Sequence, residues 1–214
     1  MAGMATAGAE PGAARAVAVL LHGRGQSPDF MREAVVGRLA VDGVHYLMPA
    51  AAGSSWYEAK AVDPLNEETE TQLRAALAQL EDALEAARTT CPGLPLILVG
   101  FSQGACLIIE HLMRGGTADA AAALTGCRVG AASDDLPRAD LRDMPVYLTN
   151  GDEDPWIPVW AYQKSVGDFV AAGARVRCDI LPGRPHEISA VEIAVLDRLI
   201  ADLAGGTPPL GGAT

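Results

Sequence analysis

Aromatic and basic residues are scarce in this sequence. Phe, Trp and Tyr make up 5% of its 214 residues, so a hydrophobic core has to be built mainly from Ala, Val, Leu and Ile. Lys and Arg total 16 against 27 Asp and Glu, which gives a formal net charge of -11 at pH 7. A charge of this sign repels the phosphate backbone of nucleic acids and disfavours binding to anionic lipid surfaces. We therefore expect no nucleic-acid partner.

Cysteines are also few, and long apolar runs are missing. Cys91, Cys106, Cys127 and Cys178 show neither CxxC spacing nor a neighbouring His cluster, which argues against a metal site. A disulfide framework is not expected in a chain of this length, so the pattern favours free thiols in a reducing cytoplasm. No stretch approaches the roughly 20 apolar residues that span a bilayer, so we expect no stable membrane insertion.

The two ends of the chain differ in composition from the rest. Residues 1–14 are rich in Ala and Gly and have no basic start, which predicts a flexible N-terminal leader rather than a secretory signal. Residues 205–214 are rich in Gly and Pro, which predicts a flexible C-terminal tail. Residues 15–204 remain for a single domain.

Short apolar runs alternate with helical patterns through this domain. Strands are predicted at residues 16–21, 44–48, 94–99, 124–132, 145–149 and 176–181. Helices are predicted at residues 29–40, 66–89, 103–114, 159–172 and 187–203. Continuously apolar strands that alternate with helices indicate an α/β fold, with a mainly parallel central sheet and helices on both faces. No insertion is long enough to form a lid domain.

Residues 100–104 form a nucleophile motif, Gly-Phe-Ser-Gln-Gly, which fits the pattern G-x-S-x-G. A predicted strand precedes it and a predicted helix follows, as the nucleophile elbow of α/β-hydrolases requires. The tight turn lifts Ser102 above the sheet, and Gly100 and Gly104 let the helix pack close to the strand. We therefore predict that Ser102 is a catalytic nucleophile rather than the N-cap of an ordinary turn.

A serine nucleophile needs a histidine base, and the base needs a carboxylate that orients it. In α/β-hydrolases the three follow in the order Ser, Asp or Glu, His. Only His111 and His186 come after Ser102. His111 lies two turns along the following helix and so points away from Ser102, whereas His186 follows the last predicted strand. His186 is therefore the predicted base.

The acid is expected after the preceding strand, where residues 150–155, Asn-Gly-Asp-Glu-Asp-Pro, offer three carboxylates. We select Asp154, because the prolines at 155 and 158 restrict its local backbone. Asp152 is interpreted as a structural group that bonds its own turn, and Glu153 as a solvated one.

A glycine-containing turn, His22-Gly23-Arg24-Gly25, follows the first predicted strand. Its glycines allow backbone N–H groups to face a ligand. We assign the backbone N–H groups of Arg24 and Gln103 to an oxyanion hole, which would stabilise charge on a substrate carbonyl oxygen. His22 is interpreted as a structural loop residue.

Five segments carry a resemblance to a known family: LHGRGQSPDF, SSWYEAK, LVGFSQGACL, NGDEDPWIP and HEISAVEI, in this order. From Val17 to Leu203 the chain resembles the bacterial phospholipase/carboxylesterase family of α/β-hydrolases, relatives of acyl-protein thioesterases. The resemblance implies the α/β-hydrolase fold in a compact form without a lid, and no cofactor. It also implies Ser102, Asp154 and His186 as the catalytic residues, with the oxyanion donors at Arg24 and Gln103.

Five residues are candidates for contact with the substrate. Trp56 and Tyr57 are expected to wall an acyl pocket, and Trp156 to border it; core packing is the alternative for each. Arg24 and Arg184 flank predicted catalytic positions and are hypothesised to attract an anionic substrate group. A solvated surface position is the alternative for both arginines.

The sequence thus predicts a serine hydrolase that cleaves carboxylic esters or thioesters of small to medium acyl substrates through an acyl-enzyme. Two alternatives stay open. The acyl-enzyme could pass its acyl group to an alcohol or amine, as an acyltransferase or cyclase does, or the chain could be a non-catalytic binding protein on a hydrolase scaffold. The partner is expected to be a small molecule, and a homodimer that covers the mouth of the site also stays open.

Overall fold

Seven strands form one sheet in the computed structural model, which describes residues 3–211. They are β1 Met4–Gly8, β2 Ala16–Leu21, β3 Val44–Pro49, β4 Leu96–Phe101, β5 Ala120–Leu124, β6 Pro145–Gly151 and β7 Arg175–Leu181. Their order across the sheet is β1-β3-β2-β4-β5-β6-β7. Strand β1 runs antiparallel to β3, and every other neighbouring pair is parallel.

Five α-helices cover the two faces of this sheet. They are α1 Pro28–Ala34, α2 Glu67–Thr90, α3 Gln103–Met113, α4 Val159–Ala171 and α5 Ala190–Ala204. Helices α2, α3 and α4 contribute to the apolar core on one face, and α1 and α5 contribute to the core on the other. Every residue of β2 to β6 is buried, because a parallel sheet that is covered on both faces has no solvent side. The predicted fold class is confirmed.

Two helices differ from their predicted bounds by more than one residue at one end. Helix α1 ends at Ala34, six residues early, because Val35 leaves helical geometry and a short 3₁₀ turn follows at Val36–Arg38. Helix α5 begins at Ala190 rather than at residue 187, because Ser189 caps it. The Ser189 hydroxyl accepts the Glu192 N–H, and the Glu192 carboxylate accepts the Ser189 N–H.

The prediction of a strand at residues 124–132 was wrong. Strand β5 is Ala120–Leu124, and the chain leaves the sheet at Thr125, which has a φ of 59°. Helix α3 packs over β5, and just after the strand a Cβ on Gly126 would lie 2.6 Å from the Cβ of Ala105. Strand β5 is buried throughout and pairs with β4 and β6 on its two sides, so a run of alanines forms a strand although alanine favours helices.

The predictions for both ends of the chain need correction. Within the expected flexible leader, Met4–Gly8 forms β1, because its backbone pairs with β3 at the edge of the sheet. Within the expected flexible tail, Pro209 is buried and its carbonyl oxygen accepts a hydrogen bond from Arg175, while Leu210 packs on the core. Residues 1, 2 and 212–214 lie outside the described residues.

The described part of the chain also bears on the expectations for thiols and membranes. Cys91, Cys106 and Cys127 are buried free thiols, and Cys178 is an exposed one. Among the helices of residues 3–211, none has both the length and the apolar character that crossing a bilayer demands.

Candidate active site

Ser102 occupies a strained turn between the central strand β4 and helix α3. Its φ of 55° and ψ of -119° lie in a region that residues other than glycine rarely adopt. A Cβ on Gly100 would lie 2.5 Å from the Gly104 carbonyl oxygen, and a Cβ on Gly104 would lie 2.2 Å from the Leu21 carbonyl oxygen. Both glycines are therefore needed for the helix to begin directly behind Ser102. The Ser102 N–H donates to the Leu124 carbonyl oxygen at 3.0 Å, which ties the turn to β5.

Ser102, His186 and Asp154 form one hydrogen-bonded line at the carboxyl ends of β4, β6 and β7. His186 Nε2 lies 2.8 Å from Ser102 Oγ, and His186 Nδ1 lies 2.7 Å from Asp154 Oδ2. Both distances are those of hydrogen bonds. The structure thus brings together the three residues that the sequence selected from widely separated positions.

The hydrogen bonds of Asp154 determine which ring nitrogen of His186 carries a proton. Burial alone would raise the pKa of Asp154, but hydrogen bonds from His186 and from the backbone N–H groups of Ile157 and Trp156 hold this pKa below its usual value. Asp154 is therefore an anion near neutral pH and can only accept. His186 Nδ1 must then donate to it, which leaves His186 Nε2 free to accept the Ser102 hydroxyl proton.

The neighbouring carboxylate of Asp152 has a different task. Its Oδ1 accepts the Gly183 N–H at 2.6 Å, so it joins the loop after β6 to the loop after β7. Asp152 therefore supports the loop that carries His186, rather than bonding its own turn as the sequence suggested, and it leaves the reacting groups untouched.

The turn after β2 faces Ser102 across a narrow gap. A Cβ on Gly23 would lie 3.1 Å from the Cβ of Ser102. The turn is fixed because the Gly23 N–H donates to Gln26 Oε1 at 2.8 Å and the Gly25 N–H donates to the Ser54 carbonyl oxygen at 2.7 Å. Within residues 3–211, neither the Arg24 N–H nor the Gln103 N–H donates a hydrogen bond. The Gln103 N–H also lies at the N-terminus of α3, where the helix dipole favours negative charge.

Trp56 does not line the open cleft, so the expectation that it walls an acyl pocket is corrected. Its side chain is 6% exposed and belongs to the core. The indole N–H donates to the His22 carbonyl oxygen at 2.8 Å, and the ring lies 5.1 Å from the His22 ring. His22 in turn accepts the Ala51 N–H on Nε2 at 3.1 Å. Trp56 and His22 therefore support the turn that carries Arg24 without lining the cleft.

The side chain of Gln103 has a structural role that the sequence did not reveal. Its Oε1 accepts the Trp56 N–H at 3.0 Å, and its Nε2 donates to the Tyr57 carbonyl oxygen at 2.6 Å. The amide thus pairs with the backbone of the loop between β3 and α2 in the way that a neighbouring strand would. Gln103 therefore fixes the start of α3 to Tyr57, which lines the cleft.

A cleft of about 620 Å³ opens beside Ser102 and His186. Its apolar lining includes Tyr57, Val62, Trp156 and Ile157, so Tyr57 and Trp156 lie where the sequence expected them. Tyr57 is almost fully buried, and burial raises the pKa of its phenol well above the usual value. Trp156 is 65% exposed and stands at the rim.

The charged groups of the cleft nearly balance. Arg24 and Lys60 contribute two cations, and Glu58 and Asp63 contribute two carboxylates. The Arg24 guanidinium donates to the Ala59 carbonyl oxygen at 2.7 Å and lies 3.8 Å from Glu58. Its role in binding an anionic substrate stays a hypothesis. No three His, Cys, Asp or Glu side chains among the described residues are grouped in a way that could hold a metal ion.

Arg184 is absent from the lining of the cleft, which contradicts the hypothesis that it binds an anionic substrate. Its side chain is 5% exposed and points into the protein, toward Thr125 and Glu192. A guanidinium enclosed in this way cannot reach a ligand in the cleft. Sequence reasoning missed Glu192 altogether, although Ser189 three residues before it forms a recognisable capping box.

Comparisons with known proteins agree with this architecture. The phospholipase/carboxylesterase family model matches residues 5–203. A solved phospholipase/carboxylesterase from Dyadobacter fermentans is similar at 29% identity, over 92% of this chain and 95% of that one, with a TM-score of 0.79. No curated protein is a significant match.

More distant structures share the fold. The esterase PE8 is 23% identical over 93% of this chain and 97% of its own, with a TM-score of 0.72. Acyl-protein thioesterase 2 from Zea mays is 17% identical over 96% of this chain and 100% of its own, with a TM-score of 0.74.

Proposed function

The chain belongs to the phospholipase/carboxylesterase family and is a hydrolase, and on that premise we propose that it cleaves esters or thioesters of small to medium acyl groups with Ser102, His186 and Asp154. The observation that carries the proposal is the hydrogen-bonded line from Asp154 through His186 to Ser102 beside an apolar cleft. The cleft opens directly onto Ser102, so a substrate held in it can reach the serine.

In the first proposed step, Ser102 Oγ attacks the carbonyl carbon of the substrate and His186 Nε2 takes the hydroxyl proton. Asp154 stays ionised and stabilises the imidazolium that forms. Negative charge moves to the carbonyl oxygen, where the N–H groups of Arg24 and Gln103 are free to donate to it. His186 then gives its proton to the departing alcohol or thiol, which leaves an acyl group on Ser102.

In the second step, water attacks the acyl carbon while His186 takes a proton from it. The bond from the acyl carbon to Ser102 Oγ then breaks, His186 returns the proton to Oγ, and the acid is released. The His186 side chain remains 19% exposed, so water reaches the base without any movement of the chain. This access favours hydrolysis over transfer to another alcohol or amine, because a transferase has to keep water away from its acyl-enzyme. The buried free thiols of Cys91, Cys106 and Cys127 support a reducing, cytoplasmic location as part of the proposal.

Labelling with a fluorophosphonate tests the proposal directly. The wild-type protein should form one covalent adduct, mapped to Ser102 by mass spectrometry, and should hydrolyse short and medium aryl esters. Ser102→Ala should abolish both reactions while the folded structure remains. Ser55→Ala is a matched control, because Ser55 also lies near Gln103 but does not contact His186. A folded wild-type protein without an adduct at Ser102 would contradict the proposal.

A further inference from the structure

The loop that follows β7 carries His186 and has no regular secondary structure between Leu181 and Ala190. Its backbone must nevertheless hold the imidazole 2.8 Å from Ser102 Oγ. A group of four buried polar side chains lies beneath this loop, and none of them lines the cleft. They are Thr125, Thr149, Arg184 and Glu192, and we call them the loop anchor.

Arg184 is the centre of the loop anchor. Its Nη1 donates to the carbonyl oxygens of Pro185, at 3.0 Å, and Glu187, which are the residues on either side of His186. Its Nη2 donates to Thr125 Oγ1 at 2.6 Å. The planar guanidinium therefore links the backbone around His186 to the end of β5.

Glu192 fixes the other side of the loop anchor. It is fully buried, lies 3.5 Å from Arg184, and accepts the Thr149 hydroxyl at 2.5 Å. Its second oxygen accepts the Ser189 N–H at 2.7 Å, which sets the start of α5. A buried charge is costly unless it is paired, and here each of the two ions supplies the partner of the other.

The loop anchor also reaches the supports of the other two reacting residues. Thr125 directly follows Leu124, whose carbonyl oxygen accepts the Ser102 N–H, and the Thr125 N–H donates to the Thr149 carbonyl oxygen. Strand β6, which carries Thr149, continues to Gly151. A Cβ there would lie 1.9 Å from the Arg184 carbonyl oxygen, so this backbone approach depends on glycine. The strands before Ser102 and Asp154 and the loop of His186 therefore share one hydrogen-bond network.

From this geometry we propose that Arg184, held by Glu192, is a positioning residue that sets the imidazole of His186 against Ser102. The proposal rests on the proposed function of the triad. Arg184 touches neither substrate nor the reacting atoms, so its loss should slow the chemical step and leave substrate binding unchanged. A lysine cannot replace it, because one ammonium group does not span both carbonyl oxygens and the threonine hydroxyl.

The test is steady-state kinetics of Arg184→Ala and Arg184→Lys on an aryl ester, with activity expressed per folded molecule. We expect kcat of Arg184→Ala to fall about 100-fold, the loss associated with a misplacement of roughly 1 Å, with KM within twofold of wild type. The rate of phosphonylation of Ser102 should fall in parallel. Added guanidinium ion at millimolar concentration should restore part of the kcat of Arg184→Ala.

Arg128→Ala is the matched control. Arg128 is equally buried and pairs with Glu110 and Asp168, away from the reacting residues. It should lower the melting temperature and leave kcat per folded molecule unchanged. The proposal is overturned if Arg184→Ala behaves like Arg128→Ala, with lower stability and wild-type kcat, or if guanidinium restores stability alone.

Two less disruptive variants test the positioning role of Arg184 if Arg184→Ala does not fold. Glu192→Gln keeps the length, but its amide has one acceptor oxygen where the carboxylate has two. If that oxygen keeps the Ser189 N–H, the NH2 group faces Thr149 and Arg184, and the guanidinium loses its negative partner. Thr125→Val keeps the shape and removes the hydroxyl that accepts from Arg184. We expect kcat to fall about tenfold in each variant, because each weakens a hydrogen bond to a charged group. Wild-type kcat in both variants would overturn the proposal. Failure of wild-type labelling at Ser102 would instead refute the proposed function. The proton resonance of the His186–Asp154 hydrogen bond reports loop position without any activity.

Discussion

Replacing Gly104 by alanine tests whether the start of α3 must lie against the end of β2 for catalysis. The added Cβ would lie 2.2 Å from the Leu21 carbonyl oxygen and 2.8 Å from that of His22, whereas real Cβ atoms essentially never come closer than 3.0 Å. Helix and strand must therefore separate by about 1 Å, which a close-packed interior resists at a cost of about 1–3 kcal/mol.

This separation acts on the proposed oxyanion hole, because Gln103 belongs to α3 and Arg24 follows β2. A displacement of about 1 Å between the two N–H donors should lower kcat by roughly 100-fold, since both must reach the same oxygen. KM should change little, because the Gln103 side chain holds the cleft wall at Tyr57 to the start of α3, so the wall and the helix start move together.

Hydrolysis of an aryl ester, together with thermal unfolding, measures both effects. Gly167→Ala in α4 is the matched control, because a Cβ at Gly167 meets nothing within 4 Å. That variant should keep full activity and gain up to about 1 kcal/mol from helix propensity. The reasoning is refuted if Gly104→Ala retains wild-type kcat and wild-type stability.

Three further predictions follow from single contacts. Trp56→Phe should lower the free energy of unfolding, measured in urea, by about 1 kcal/mol, because the hydrogen bond to His22 is lost. The order of activity across a panel of esters of different chain length should not change; a changed order would show that Trp56 contacts the acyl group after all. Asp154→Asn should lower kcat by about 10⁴-fold in a folded protein. Because the pKa of Asp154 is lower in the folded protein than its ordinary value of 3.8, its ionised carboxylate contributes stability above pH 3.8. This stability is lost as pH falls through the folded-state pKa, so the difference in stability between wild type and Asp154→Asn should close below that pH. Burial lowers the pKa of His111 from 6.5, so its contribution to stability is complete above 6.5 and is lost as pH falls below it; the melting temperature should drop from pH 7 to pH 5, and less so in His111→Gln.

The parts of the fold that sequence predicts well are those where local preference and tertiary packing agree. Residues 16–21 are apolar, β-branched in part and buried throughout, so pattern and structure coincide. At Ala120–Leu124 they disagree, because alanine favours helices and the strand forms through its pairing with β4 and β6. Met4–Gly8 is too short and too poor in β-branched residues to predict a strand, and it forms one by pairing with β3, some 40 residues away, with Ala5 and Ala7 against the core.

The candidate site divides in the same way. Ser102, Asp154 and His186 could be selected because chain order and motif spacing constrain them, and the structure brings them together. Arg184 was misplaced because a buried arginine and a surface arginine look identical in sequence. Its burial depends on Glu192, eight residues further on, and on Thr125, which directly follows β5.

The loop anchor has a consequence for the newborn chain, because domains form as the polypeptide leaves the ribosome from its N-terminus. Ser102 precedes His186, its proposed base, by 84 residues, and His186 follows the last described strand. The buried partner of Arg184 is later still, on α5. A nascent chain therefore carries its serine for many seconds as an ordinary hydroxyl. Under the proposed mechanism, the capacity to break bonds arrives in the cell only with the closing helix.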